Sequence, residues 1–412
     1  MKVLVFTALY PNNVWPNHGI FIKERMTALA RRNECELRVV APVPYYPFDI
    51  GWRSGYARVA KEETIDGIRV YHPRYLLIPK IGMTLHGALM CLSVLRAVRR
   101  VRRSFSFDLI DAHYVYPDGF AAVLLGRLLR KPVIVSARGS DINAFASFPL
   151  IRWLINYTLC KAHHLIAVSG ALGKAIAAMG VPQEKISLIP NGVDQQKFKK
   201  IGKAEARQTL GLPGDRAIVL SVGSLNPVKG FDLLIRAFKI LLETSATRKP
   251  YLVVIGDGPL RKDLSRMIAE LSLQSHARLV AAVPHSELYQ WYSAADVFCL
   301  ASDREGYPNV LLEALACGTP VVATAVGGVP EIVTSDALGF LVERREQCMA
   351  DKLHQALTKT WDSKQIMSSA KNYSWQAAAE KVTGVFESVL NGAADRPLPE
   401  SRPESSRKAL KS

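Results

Sequence analysis

Short runs of β-branched and aliphatic residues alternate with helix-patterned stretches along almost the whole chain, and this alternation fixes the fold class. The runs at 2–8, 36–41, 108–112, 132–136, 164–168, 187–189, 217–222, 251–255, 278–281, 296–300, 320–323 and 339–342 read as strands. Between them, 20–32, 119–130, 232–243, 260–271 and 309–317 carry apolar residues at helical spacing. Strand, helix, strand at this interval means parallel strands joined by crossover helices. The pattern runs through twice, and 412 residues exceed what one core usually holds. The expected fold is α/β, with two Rossmann-like, doubly wound parallel-sheet domains facing a cleft.

Ile189-Pro190-Asn191-Gly192-Val193-Asp194 ends a strand in turn residues and leads into a Lys-rich linker. The expected division is an N-terminal domain at 1–190 and a C-terminal domain at 191–374. A closing helix at 375–391 has either domain to pack on, the N-terminal one included. Residues 392–412, rich in Pro, Ser, Arg and Glu, read as a disordered tail.

Charge is uneven. Of the net +17, residues 1–190 carry +13, from 25 Lys and Arg against 12 Asp and Glu; the remainder carries +4. A basic N-terminal half points to an anionic partner such as a phospholipid surface, a lipid phosphate or a nucleic acid. It holds no basic-aromatic module that reads nucleic acid, so no nucleic-acid partner is expected. The six cysteines form no Cys-x-x-Cys pair and no zinc spacing, and they read as reduced core thiols of a cytosolic protein. Val3-Leu4-Val5-Phe6 is too short and lacks the cleavage site of a signal peptide, and no run approaches the ~20 apolar residues of a membrane span.

The chemistry concentrates in five stretches. Glu305-Gly306-Tyr307-Pro308-Asn309-Val310-Leu311-Leu312-Glu313 sets two acids eight positions apart around a turn that opens a helix. Free N–H groups at that helix start suit phosphates, and the carboxylates suit sugar hydroxyls. Ser221-Val222-Gly223-Ser224-Leu225-Asn226-Pro227-Val228-Lys229-Gly230 leads out of a strand into a turn that sets Lys229 beside a glycine. Asn17-His18-Gly19-Ile20 opens a helix after the first strand, where Gly19 is either a turn residue or lets backbone approach a ligand. His113, Arg138 and Asp141 follow two further strands at the end where doubly wound sheets bind ligands.

Residues 299–333 resemble the Glu-x7-Glu signature of retaining, nucleotide-sugar-dependent glycosyltransferases of family 4, and the likeness extends from the first strand to about 390. The resemblance implies the GT-B architecture. It also implies that Glu305 meets the donor sugar, Glu313 meets the ribose, and the backbone at Gly306 and Asn309 faces the donor. Lys229 matches the family's phosphate lysine, Gly19 its first glycine loop, and His113 a cleft residue near the sugar. The implied catalytic set is His113, Lys229 and Glu305. Two positions depart from the pattern: Ser224 stands where members commonly carry Arg, and Arg138 where many carry His. Arg138 either clamps an anionic acceptor or partly replaces the charge absent at Ser224; Asp141 is an acceptor ligand or a helix cap. Gly-Tyr-Pro-Asn and Arg138-Gly139-Ser140-Asp141 most resemble enzymes of bacterial exopolysaccharide or teichuronic-acid-type assembly.

No Asp-x-Asp occurs, so neither a metal-held diphosphate nor a cofactor beyond the donor is expected. Leu85, Leu89 and Leu92 share a helical face that runs on into Arg96, Arg99, Arg100 and Arg103. Such a face, within a foot spanning Lys80 to Arg103, suits an anionic membrane and implies a peripheral protein on the inner face of the cytoplasmic membrane. The acceptor is then a glycan or a lipid-linked glycan. The alternatives are a sugar-nucleotide 2-epimerase of the same architecture and a non-catalytic binder of anionic ligands. A dehydrogenase is disfavoured, because no Gly-x-Gly-x-x-Gly follows a strand.

Overall fold

The computed structural model describes residues 1–45, 54–77, 83–139, 142, 148–245 and 249–394. Lys80, Asp141 and the tail from 395 lie outside the described residues. The first sheet has eight strands, ordered β10-β9-β8-β7-β1-β2-β5-β4. These are β1 (Lys2–Phe6), β2 (Glu36–Val40), β4 (Glu62–Ile65), β5 (Ile68–Tyr71), β7 (Leu109–His113), β8 (Val133–Ala137), β9 (His164–Ala167) and β10 (Ile186–Leu188). Short β3 (Val43–Tyr45) and β6 (Arg74–Leu76) pair separately. The second sheet, β13-β12-β11-β14-β15-β16, consists of β11 (Ile218–Val222), β12 (Tyr251–Ile255), β13 (Ala277–Val280), β14 (Val297–Leu300), β15 (Val321–Thr324) and β16 (Gly339–Val342).

The second sheet is wholly parallel. The first departs from the all-parallel expectation at its edge, where β4 runs antiparallel to β5. A two-residue Asp66-Gly67 turn joins them, with φ of 48° and 81°. Two positive φ values in succession are what a hairpin turn of the right twist requires, and Asp-Gly supplies them. Residues 43–76 therefore hold four strands that the sequence reading missed.

Hydrophobic layers cover both faces of the first sheet. On one lie α2 (His86–Ser104), α3 (Phe120–Leu129) and α4 (Pro149–Lys161), which bury Met90, Val94, Val98, Leu125 and Ile155. On the other lie α1 (Ile20–Ala30) and the last helix, residues Trp375–Ala394. That helix places Ala379, Val382 and Phe386 in one cluster with Ile22, Met26 and Val5. So the last described helix returns to the first sheet, and it runs three residues beyond the expected 391. Its approach is tight: a Cβ on Gly192 would lie 2.3 Å from the Trp375 nitrogen.

Strand order reverses between β1 and β7 in the first sheet and between β11 and β14 in the second. Crevices at such reversals, beyond the carboxyl ends of the strands, are where open α/β sheets bind ligands.

Candidate active site

A cavity of about 660 Å³ lies between the sheets, and its walls come from those reversals. The loops after β1 and β7 contribute Leu9, Ile20, Phe21 and Tyr114, and the loop after β8 adds Arg138 and Gly139. From the second sheet come Ser224, Asn226 and Lys229 after β11, and Arg304 through Asn309 after β14. Glycines permit the close meeting of the two halves. Gly139 has a φ of 112°, and a Cβ there would come within 2.5 Å of the Gly306 Cα. A Cβ on Gly306 would in turn strike the Arg138 carbonyl at 1.8 Å.

The sequence places Lys229 and Glu305 on different loops, and the fold joins them. Lys229 Nζ donates to Glu305 Oε1 at 2.6 Å, and the Ser302 hydroxyl donates to the same oxygen at 2.6 Å. Gly230 (φ 63°) makes this possible, since a Cβ there would lie 2.2 Å from the Ala301 carbonyl at the foot of the Glu305 loop. Glu313 sits in the second turn of the helix Asn309–Ala316 and is only 5 % exposed. Tyr292 Oη donates to its Oε2 and His285 Nε2 to its Oε1, both at 2.8 Å. His285 must donate through Nε2, because its Nδ1 receives the Lys197 ammonium at 2.7 Å. Burial, reinforced by the Glu313 charge, drives the Tyr292 hydroxyl well above the ordinary phenol range.

The opposite wall is a buried polar chain. Arg138 is 6 % exposed and donates to Asn191 Oδ1 (2.9 Å) and to His113 Nδ1 (2.7 Å). His113 Nε2 lies 3.2 Å from Asp111 Oδ2. Fully buried Arg25 donates to the Ile189 carbonyl (3.1 Å) and to Asn191 Oδ1 (3.4 Å). The Asn191 amide then donates across the cleft to Asn309 Oδ1 at 2.9 Å. Burial lowers the His113 pKa to about 4, and the Arg138 charge acts in the same direction against Asp111. The ring is therefore neutral at pH 7, with its proton on Nε2, because Nδ1 accepts from Arg138.

This corrects the expectation for His113. Its side chain has no exposed surface and sits behind Arg138, which lines the cavity instead. Gly19 (φ 64°) also stays off the cavity surface. It lets the start of α1 pack on the Leu9 carbonyl, which would lie 2.3 Å from any Cβ at this position, while Ile20 and Phe21 face the space. Ser224, Lys229, Glu305, Gly306, Asn309, Glu313 and Arg138 all line the cavity. The sequence reading missed Asn191, Arg25, Arg304 and His285. Asn191 was in view only as a turn residue, and nothing local in sequence marks a side chain whose partners lie 53, 118 and 166 positions away.

A second bridge joins the halves. Glu331 accepts from the Gly170 and Ala171 nitrogens, at 2.9 and 3.0 Å, capping the helix Gly170–Ala178 of the first half. Among the described residues, no group of three or more His, Cys, Asp or Glu is placed to hold a metal ion.

Residues 20–197 match the family model for Glycosyltransferase Family 4, and residues 202–382 match that for Glycosyl transferases group 1. A D-inositol 3-phosphate glycosyltransferase of Kineococcus radiotolerans is 34 % identical, covering 92 % of both chains. The Bacillus subtilis glycosyltransferase TuaC, named for teichuronic acid biosynthesis, is 28 % identical over 86 % of this chain and 88 % of its own. Among solved structures, Anabaena HepE in complex with UDP and glucose superposes with a TM-score of 0.71 at 21 % identity, covering 94 % of this chain and all of HepE. The two-sheet architecture and the full-length relative agree: the chain belongs to glycosyltransferase family 4 and is a transferase of the GT-B fold.

Proposed function

We propose that this glycosyltransferase takes a nucleotide-diphosphate sugar as donor and transfers the sugar, with retention, to a glycan or lipid-linked acceptor of cell-envelope or extracellular polysaccharide. The observation that carries this reading is the Lys229–Glu305 pair, which lies in one cavity with Glu313 and the start of the helix Asn309–Ala316. A carboxylate for sugar hydroxyls, an ammonium for phosphate, a helix start and a second carboxylate for the ribose follow the order of groups along such a donor. The neighbour solved with UDP and glucose supports a donor of this class.

In the reaction, the bond from the anomeric carbon to the diphosphate oxygen breaks with its electron pair going to phosphate. The acceptor oxygen bonds to the same face, and its proton passes to the departing phosphate oxygen. Lys229 stabilises the charge developing there, with no metal and no cofactor assigned to the step. Arg138, fixed by His113 and Asn191, faces the acceptor side as a cation for an anionic acceptor.

The partner surface is the outward side of α2, α3 and α4. Leu85 and Leu92 are 54 % and 68 % exposed, and Arg96, Arg99, Arg100 and Arg103 continue the same exposed face. Leu128 on α3 and Leu150 and Trp153 on α4 are exposed on the same layer. No described helix is long and apolar enough to cross a membrane. An apolar and basic helix layer suits peripheral binding to the anionic inner face of the cytoplasmic membrane.

Nucleotide sugars screened by thermal shift and by hydrolysis test the donor reading. Stabilisation by at least one, with slow release of its nucleoside diphosphate, is expected; stabilisation by none contradicts it. Conversion of the donor to its 2-epimer without acceptor identifies an epimerase instead. Sedimentation with phosphatidylglycerol vesicles, lost on reversing Arg99 and Arg103 to Glu, tests the surface; equal sedimentation of the variant contradicts it.

A further inference from the structure

We propose that Arg304 binds the diphosphate of the donor, supplying positive charge that Lys229 does not provide on its own. The inference rests on the donor reading above. Among the described residues, three cationic side chains line the cavity: Arg138, Lys229 and Arg304. Arg138 is buried and already committed to His113 and Asn191. Lys229 is neutralised by Glu305 at 2.6 Å. Arg304 is exposed, lies next to Glu305 on the loop that follows β14, and has no hydrogen-bond or ion-pair partner among the described residues.

Charge shows why this matters. Without Arg304, the ionised residues of the cavity wall among the described residues are Arg138 and Lys229 against Glu305 and Glu313, which cancel. A diphosphate brings about two negative charges into the space, and a wall of zero net charge gives it no electrostatic preference over water. Arg304 makes the wall cationic. Its planar guanidinium offers paired N–H donors to phosphate oxygens, which a lysine cannot.

The geometry also orders the events. The diphosphate meets Arg304 first, because Lys229 is held. The donor's sugar hydroxyls then take over Glu305, releasing the Lys229 ammonium to the same phosphates. Arg304 thus acts as the capturing cation and Lys229 as the one that arrives by exchange. Ser224, uncharged and lining the same cavity on the loop after β11, is the position chosen for a compensating arginine.

The test is titration of UDP, GDP and ADP, each with its parent nucleoside, into wild type, Arg304→Ala and the double variant Ser224→Arg/Arg304→Ala. For the diphosphate that wild type binds, Arg304→Ala is expected to weaken binding roughly tenfold, as loss of one charge-assisted partner does. The parent nucleoside is expected to bind unchanged, and the double variant to recover most of the loss. Because Arg304 is exposed, the variant folds as wild type does. Wild-type affinity of Arg304→Ala for the diphosphate, or equal losses for nucleoside and diphosphate, overturns the role of Arg304 alone. Wild type binding none of the three diphosphates overturns the donor reading and this inference with it.

Discussion

The two walls of the cleft carry ionised groups in opposite ways. On the wall from the second sheet, Lys229 and Glu305 form an ion pair at the cavity surface, with side chains 26 % and 10 % exposed. On the wall from the first, Arg25, His113, Asp111 and most of Arg138 are withdrawn into the protein; Asn191 ties Arg25 to Arg138, Arg138 holds His113, and Asp111 lies 3.2 Å from His113. A surface pair gives up its partner to a ligand at small cost, whereas a buried network holds its geometry and is expensive to break. One wall is arranged to exchange partners with a ligand, and the other to hold its geometry.

Lys229→Met is the sharpest way to break this contrast. It is expected to lower kcat by about a hundredfold or more, the scale seen when one group stabilising transition-state charge is removed, while unfolding changes little. Steady-state kinetics beside a denaturation curve separates the two. Loss of fold without a specific loss of kcat would put Lys229 with the structural wall.

Asn191→Leu probes the other side. It deprives two buried guanidiniums and Asn309 of a partner, and is expected to cost roughly 2–4 kcal/mol of stability by urea unfolding. Asn191→Asp, which keeps the acceptor oxygens, is expected to retain most of it. Equal loss in both would mean that the amide shape, not its acceptance of two guanidiniums, is what the site needs.

His113 gives a pH signature of the same wall. Its pKa falls from 6.5 in the unfolded chain to about 4 in the fold, so the unfolded state binds more protons between those values. The contribution is full above pH 6.5 and is lost progressively as pH falls to about 4. His113→Gln is expected to flatten that part of the stability–pH curve relative to wild type. The smallest expected effect is that of Glu331→Gln: about 1 kcal/mol, from a weakened cap on the helix Gly170–Ala178 across the cleft, read as faster amide exchange at Gly170 and Ala171.

The sequence made the frame legible because each strand carries its own local signal. All twelve expected strands formed, with ends shifted by at most two residues, since a β-branched run between turn residues needs no distant partner to be recognised. Residues 43–76 escaped because their strands are only three or four residues long and half-exposed; only the Asp66-Gly67 turn advertised them. The wall from the second sheet was readable for a similar reason: Glu305 and Glu313 share one loop and helix, and Lys229 closes its own strand-end turn. The opposite wall was not. Whether His113 faces the cleft or lies behind Arg138 depends on which side chain the fold places in front, and residues 25, 138, 191 and 309 meet only after both sheets have formed. Asp141 lies outside the described residues, and its assignment to the acceptor stays a proposal.

The most direct measurement of the central claim is made on Glu305→Ala, with donor-sugar turnover and nucleotide-sugar binding followed in the same preparation. If Glu305 holds the donor sugar, turnover falls by about a hundredfold or more, and the affinity for the nucleotide sugar drops toward that for the nucleoside diphosphate alone. A folded Glu305→Ala protein that binds and turns over the nucleotide sugar as wild type does would contradict the account.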